Sequence, residues 1–295
     1  MRIAVTGASG WLGRTTIATL LESGIEPSDI NCFSSERKVI NIENKEFQTL
    51  PIYELQNCHN IEVFVHLAFL TRDKVSNSDL SSYSSLNREI SGIACNFITG
   101  SKPRSVITIS SGAVFDAPSY TTLAESLDSN PYGFLKIEEE NRLADACLGS
   151  DSNLIINRLW GLSGQDIQNT KPYALAEFIQ KAKMDSVIEV NSSHKVWRRY
   201  VDARELMALC LAVAASGNRA TFNSGGPLVE IGALAQLVVE TLNSNSRIAR
   251  KVDIEPGKQD TYYPIDQLYE ELLGKYLKKN PLELKYQIMK TSLAF

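Results

Sequence analysis

Tyr132 and Lys136 stand four residues apart in the segment Pro131–Lys136, so on a helix both side chains leave from one face, a turn apart. A free phenol has a pKa near 10 and is a poor base at neutral pH. An ammonium about 4 Å away, at an effective dielectric of about 20, favours the phenolate by roughly 4 kcal/mol, or about three pKa units. Such a phenol can exchange a proton with a substrate hydroxyl or carbonyl near neutrality. Ser111 precedes the tyrosine by 21 positions, at the close of the apolar run Ser105–Ser110, and its hydroxyl can bond the same oxygen. A Tyr/Lys pair at this spacing is common on solvated helices. The serine at a strand end, downstream of a glycine turn, is what makes this pair a catalytic candidate.

That turn is Gly7, Gly10 and Gly13, a GxxGxxG spacing between the apolar run Arg2–Thr6 and a helical pattern from about Leu12 to Ser23. Glycines there let the backbone turn tightly and approach a pyrophosphate, which sits at the positive helix N-terminus. The expected cofactor contacts on this turn are Gly7, Ser9, Gly10, Trp11, Leu12 and Gly13. The next apolar run, Asp29–Phe33, ends in Ser34, Ser35, Glu36, Arg37 and Lys38. Two hydroxyls followed by two cations at Ser34, Ser35, Arg37 and Lys38 suit a 2′-phosphate, so NADP(H) is the expected cofactor. Glu36 could instead accept the ribose diol, which leaves NAD as the alternative.

These groups need elements to hold them. Strand patterns cover Arg2–Thr6, Asp29–Phe33, Lys38–Ile42, Glu62–Leu67, Ser105–Ser110 and Asn153–Leu159, with helical patterns at roughly Leu80–Thr99 and Tyr132–Leu148. Continuous apolar strands separated by helices signal a parallel sheet covered on both faces. Beyond Trp160 come a Gly/Asn/Gln-rich stretch (Gly161–Lys171), helices at Pro172–Lys183, Arg204–Ala215 and Ile231–Leu242, and strands at Val187–Val190 and Thr221–Asn223. The expected fold is α/β, a Rossmann-type doubly wound parallel sheet with a small C-terminal substrate-binding lobe. Residues 1–160 with about 196–225 would form the cofactor domain, and about 161–195 with 226–295 the lobe.

Bulk properties narrow the function classes. The 295 residues are 43% hydrophobic and 22% charged, ordinary values for a globular protein with a sizeable core. A net charge of −4 without a basic block offers no footprint for nucleic acid. No run approaches the roughly 20 apolar residues of a membrane span, and the apolar start breaks off at Thr6 and Gly7, unlike a signal peptide. Cys32, Cys58, Cys95, Cys147 and Cys210 form no CxxC pair, and His59, His66 and His194 show no metal-ligand spacing. A cytoplasmic protein with reduced thiols and no metal is expected.

Together with Val65–Ala68, Ser110–Phe115, Asn87 in LNREISG, Arg158 in NRLWG, WRRYVDARELM and FNSGG, these motifs resemble the extended short-chain dehydrogenase/reductase family, in its group of nucleotide-sugar epimerases, dehydratases and reductases. The likeness runs nearly end to end. It implies an NAD(P)-dependent enzyme in which Tyr132 exchanges a proton with the substrate and Lys136 holds the cofactor ribose. Ser111 would bond the substrate oxygen, and Asn87 would support the lysine through the backbone and a water. It further implies Leu67 and Ala68 beside the cofactor, Gly112 and Ala113 beside the substrate, and Arg198 on the phosphates of a nucleotide-diphosphate sugar. A homodimer packing the helices near Leu80–Thr99 and Tyr132–Leu148 also follows from the resemblance.

Dehydratases of this group carry an Asp–Glu pair after the serine, where this chain has Gly112 and Ala113. Elimination lacks its second acid there. Asp202 and Arg204 also depart from the pattern around Arg198. With NADP(H) as co-substrate, reduction of a 4-keto group on a nucleotide-activated sugar is the expected reaction, and epimerisation with a retained NAD(P) is the alternative. A cofactor-sensing regulator is the rival of another class, though such relatives lose the Tyr/Lys pair. His66 reads as a packed or backbone-bonded residue, Glu138–Glu140 as a solvated helix face, the tyrosines of the tail as lobe core with substrate contacts as the alternative, and Trp160 and Trp197 as core packing or as stacking on a base or sugar.

Overall fold

The run Ile-Ala-Val-Thr is buried at every position in β1 (Ile3–Thr6), as expected of a strand covered on both faces. The computed structural model describes residues 1–71, 79–116, 122–168, 173–250 and 257–295. The elements fall into two bodies: residues 1–159 with 207–222, and residues 160–206 with 223–295. Residues 196–206 thus group with the second body.

In the first body β1 is followed by α1 (Trp11–Glu22), β2 (Ile30–Ser34), β3 (Lys38–Ile42), β4 (Lys45–Pro51), β5 (Val63–His66), α2 (Leu80–Ser101), β6 (Ser105–Ser111), α3 (Pro131–Ser150) and β7 (Asn153–Leu159). Later come β8 (Leu162–Ser163), α4 (Ala174–Lys183), β9 (Ile188–Val190), β10 (Lys195–Arg199), β11 (Val201–Asp202), α5 (Ala203–Ala215) and β12 (Ala220–Asn223). The chain ends with β13 (Leu228–Glu230), α6 (Ile231–Leu242), β14 (Ile248–Arg250), β15 (Gln259–Asp260), α7 (Leu268–Leu277) and α8 (Leu284–Ser292). The expected helix start at Pro172 and the tail around 252–256 lie outside the described residues.

The large sheet runs β12-β7-β6-β5-β1-β2-β4-β3. Strands β1, β2, β4, β5, β6 and β7 pair in parallel wherever they are neighbours. Order reverses at β1, which lies between β2 and β5, and a ligand crevice opens outside the carboxyl ends of the strands at such a switch point. One edge differs from expectation: β3 pairs antiparallel with β4, a strand the apolar pattern did not reveal. Glu43 and Asn44 turn between them with φ of 49° and 59°, the geometry of a two-residue hairpin. The core of this body sets Phe64 edge-on to Phe97 at 4.9 Å, with Phe33, Ile98, Val106 and Leu143 around them. The second body has its own core, in which Phe178 and Ile179 of α4 meet Leu234 and Val238 of α6 and Ile288 of α8.

Among the described residues no helix is long and apolar enough to cross a membrane, and no group of His, Cys, Asp or Glu is placed to hold a metal ion. All five cysteines are free.

Candidate active site

The glycine turn is sterically obligatory. Gly7 has φ +68°, and a Cβ there would lie 2.8 Å from the Leu67 carbonyl carbon and oxygen. A Cβ on Gly13 would come within 2.2 Å of the Gly7 carbonyl oxygen. Gly10 is the N-cap of α1 and contributes no capping side chain, so no cap competes with an anion for the amides of the first turn. Ser9, Trp11 and Leu12 lie on the same turn, half-buried. This is a cradle that a pyrophosphate fits and that side chains would fill.

The ribose end is less open than the sequence suggested. Ser34 is buried, and its hydroxyl donates to the Glu36 carbonyl at 2.6 Å and lies 2.9 Å from Thr49 Oγ1. Arg37 Nη2 donates to both carboxylate oxygens of Glu54 at 3.0 and 3.1 Å. Lys38 Nζ lies 3.4 Å from Glu36 Oε1. Ser35 is exposed. The two cations expected to attract a 2′-phosphate are each matched by a carboxylate.

Beyond β5 the chain is clamped on both sides of Phe69. The amides of Leu67 and Ala68 donate to Thr6 Oγ1 at 3.1 and 3.3 Å. The Leu70 amide donates to Asn87 Oδ1 at 2.8 Å, and Tyr83 Oη donates to the Leu70 carbonyl at 2.9 Å. Phe69 is thereby fixed with its ring 3.8 Å from Lys136 Nζ and 5.8 Å from the Tyr132 ring, edge to face. Both members of the expected pair meet at one aromatic ring. Asn87 therefore acts on the β5 loop directly through its side chain, a contact the expected backbone-and-water role did not include.

Asn130 brings the serine end to the tyrosine end. It is the N-cap of α3, with Pro131 in the first helical position, a combination that starts helices. Its Oδ1 accepts from the Gly133 amide at 3.0 Å, while Nδ2 donates to the Ala113 carbonyl at 2.9 Å and to Asp116 Oδ1 at 3.0 Å. A Cβ on Gly133 would lie 1.9 Å from the Ala113 carbonyl oxygen, so glycine permits the approach. Ser111 Oγ accepts from the Ala113 amide at 3.1 Å, which fixes the short turn through Gly112. Ser111, Gly112, Ala113, Tyr132 and Lys136 are thus gathered at the carboxyl ends of β5 and β6.

Lys136 is buried, with 4% of its surface exposed. Its Nζ donates to the Ile109 carbonyl at 3.1 Å and to Glu139 Oε2 at 2.7 Å. Here the expectation of a solvated face at Glu138–Glu140 holds only for half-exposed Glu138, because α3 packs Glu139 and Glu140 inward. Glu139 is 2% exposed and Glu140 6%; Glu140 takes a bidentate bond from Arg158, and Glu138 pairs with Arg88. Burial pushes the Glu139 carboxyl up, but Lys136 and His66 outweigh it and hold it below the usual carboxylate range. His66 is packed, as expected, and its Nδ1 shares a hydrogen bond with Thr6 Oγ1 at 2.8 Å, while Nε2 lies 3.3 Å from Glu139 Oε1, within charge-pair reach but off hydrogen-bond geometry.

Phe69, Glu139 and Asn130 are the residues that reading the sequence missed. Only Asn130 carried a signal, the Asn-Pro start of a helix. In the second body Arg198 donates to both oxygens of Asp260 at 3.0 and 2.7 Å, so the expected phosphate contact already has a carboxylate partner. Asp202 accepts from the Glu205 amide at the start of α5, and Arg204 pairs with Asp166. Trp160 packs against Tyr262 at 4.7 Å, and Tyr269 is buried with its hydroxyl on Glu205.

A family model described as the NAD dependent epimerase/dehydratase family matches residues 3–225. A UDP-glucose 4-epimerase of Dictyostelium discoideum is 26% identical over 217 residues, 63% of this chain and 62% of that protein. The match therefore spans less than two thirds of that relative. A UDP-N-acetylglucosamine 4-epimerase structure from Methanobrevibacter ruminantium superposes with TM-score 0.77 at 19% identity, covering all of this chain and 97% of the other. MoeE5, solved with UDP-glucose and NAD, superposes with TM-score 0.76 at 16% identity over 99% and 97% of the two chains. At these identities the likeness to the solved structures is one of fold.

Proposed function

Because the chain belongs to the NAD dependent epimerase/dehydratase family, we propose that it is a nucleotide-sugar epimerase using Tyr132 as its acid–base group. The observation that carries this reading is the meeting of Tyr132 and Lys136 at the Phe69 ring, beside the Ser111 turn. Ser111 and Tyr132 bond one sugar hydroxyl, and the phenolate takes its proton. Lys136 favours that phenolate by its charge. A nicotinamide held there would supply hydride acceptance from the carbon bearing that hydroxyl and hydride return to that carbon's opposite face. Tyr132 then gives its proton back, so no external reductant is consumed. Gly112 and Ala113 place no second acid there to expel a leaving group.

The keto-sugar reductase expected from the sequence rested on Arg37 and Lys38 drawing NADP(H). Their pairing with Glu54 and Glu36 offsets part of that attraction, which favours NAD retained through turnover, the cofactor bound in MoeE5. The 4-epimerase relatives support the same choice. Exposed Leu86 on α2 and Leu148 on α3 support a second copy of the chain as partner on those helices. Incubation with UDP-sugars, followed by chromatography of the products and NADH absorbance, tests the reading. Interconversion without net oxidation is expected, and Tyr132→Phe keeps cofactor affinity while losing at least about 100-fold in turnover. Stoichiometric NADPH consumption, or full activity in Tyr132→Phe, overturns it.

A further inference from the structure

Behind Lys136 lies a closed set of buried polar groups that the acid–base chemistry does not itself use. Thr6 is fully buried, and its Oγ1 accepts from both the Leu67 and Ala68 amides. A hydroxyl has two acceptor sites and one hydrogen, so the hydrogen is left for His66 Nδ1 at 2.8 Å. His66 Nδ1 is then an acceptor, which puts the ring hydrogen on Nε2, 3.3 Å from Glu139 Oε1, an electrostatic contact that falls outside hydrogen-bond geometry. The other oxygen of Glu139 takes a bond from Lys136 at 2.7 Å. Donation thus converges on Glu139 from two sides, from Thr6 through His66 and from Lys136 directly. The set ends on backbone amides, not in water, so it can hold a charge in place but cannot carry a proton out.

We propose that Glu139 is a positioning residue that, braced by His66 and Thr6, fixes the ammonium of Lys136 against the Ile109 carbonyl and the Phe69 ring. The inference deepens the reading of Tyr132 and Lys136 as the reacting pair and rests on it. An ammonium on a flexible four-carbon stem has many positions; here the carbonyl, the carboxylate and the aromatic face leave one. The carboxylate also offsets part of the ammonium's field at Tyr132, so the working pH of the tyrosine is set by both charges. The other charged or titratable groups near Glu139 are Arg142 and Glu138 on its own helix, Arg88 and Cys95 on α2, and His66 on β5, with Glu140 next to it in the chain. Arg88 is taken by Glu138, Glu140 by Arg158, and Arg142 Nη1 by the Arg88 carbonyl, which leaves Lys136 and His66 as the close partners of Glu139.

The test compares wild type with Glu139→Gln and Glu139→Asp on the sugar nucleotide that wild type turns over. In Glu139→Gln, kcat falls roughly 10- to 100-fold, the loss of a buried charge-assisted bond. Removing the negative charge makes the phenol easier to ionise, so the acidic midpoint of the kcat profile moves down by on the order of one pH unit. Glu139→Asp keeps the wild-type midpoint even where kcat stays low. A residue with a merely structural role lowers kcat with no movement of the midpoint, and that outcome overturns the proposal. Independently of turnover, carboxyl-carbon NMR of the full chain, assigned by the resonance lost in Glu139→Gln, follows Glu139 directly. It is expected to stay ionised below pH 4.5 in wild type and to titrate higher in Lys136→Met. A Glu139 carboxyl unmoved by Lys136→Met overturns the clamp even where Glu139→Gln does not fold. Absence of wild-type epimerisation overturns the proposed function instead, and the NMR arm still judges the clamp.

Discussion

Asn130 is the residue on which the juxtaposition of Ser111 and Tyr132 depends, and replacing it separates two effects. Asn130→Ala removes the cap on the Gly133 amide, at a cost of about 1 kcal/mol. It also removes the two donations to Ala113 and Asp116, each contributing about 1 kcal/mol. The total of about 3 kcal/mol corresponds to a fall of about 1 M in the urea midpoint of the first body, for a slope of about 3 kcal/mol/M. Asn130→Asp keeps the cap acceptor but turns a carboxylate toward the Ala113 carbonyl and Asp116, which offer it no hydrogen. It is expected to be as destabilised as the alanine variant at pH 7 and to recover as pH falls and an Asp carboxyl protonates to become a donor. Both variants lose at least about 10-fold in kcat, since small misplacements of reacting groups cost that much or more. Urea unfolding followed by fluorescence, exchange of the Gly133 amide, and turnover are the measurements. An Asn130→Ala protein within about 0.5 kcal/mol of wild type, with unchanged Gly133 exchange, refutes the linkage between the α3 cap and the Ser111 turn.

Three further outcomes follow from the contacts. Gly13→Ala pushes a methyl to within 2.2 Å of the Gly7 carbonyl, and equilibrium dialysis should show cofactor affinity reduced at least about 10-fold while the circular dichroism of the second body persists. Arg37→Ala changes the ratio of NADPH to NADH affinity by less than about 3-fold, because Glu54 already neutralises that guanidinium; a drop of about 100-fold in fluorescence titration means the arginine leaves Glu54 for a phosphate. Acid stability reports on Glu139: its carboxyl is held below the usual 4.5 in the folded chain, so its contribution is present above pH 4.5 and lost as pH falls through the lower folded value. Glu139→Gln should therefore lose less stability than wild type between pH 5 and 2, and identical acid-unfolding curves contradict this.

How much of this was written in the linear order of residues can be judged from particular elements. Strands Lys38–Ile42 and Asn153–Leu159 and helix Ile231–Leu242 appear with the bounds that hydrophobic pattern suggests. Continuous apolar runs mark strands buried on both faces, and capping residues mark helix ends. The glycine turn was equally legible, because only glycine tolerates φ +68° at Gly7 against the Leu67 backbone. The strand β4 was not, since its buried face carries only Phe47, Thr49 and Pro51, of which Phe47 alone is a large apolar residue. Spacing alone also paired Tyr132 with Lys136.

What surrounds that pair was decided in three dimensions. Glu139 stands in the run Glu138–Glu140, which has the look of a solvated helix, and nothing local separates it from Glu138, which is half-exposed and paired with Arg88. Only the packing of α3 onto the sheet and α2 puts one carboxylate against His66 and Lys136 and leaves its neighbour half-exposed. Phe69 and Thr6 join the site from the ends of strands that are remote in sequence and adjacent in the sheet. Local pattern encodes which face of an element is apolar. Which buried charges meet depends on pairing between distant segments, and there the low dielectric turns a surface residue's chemistry into a site's.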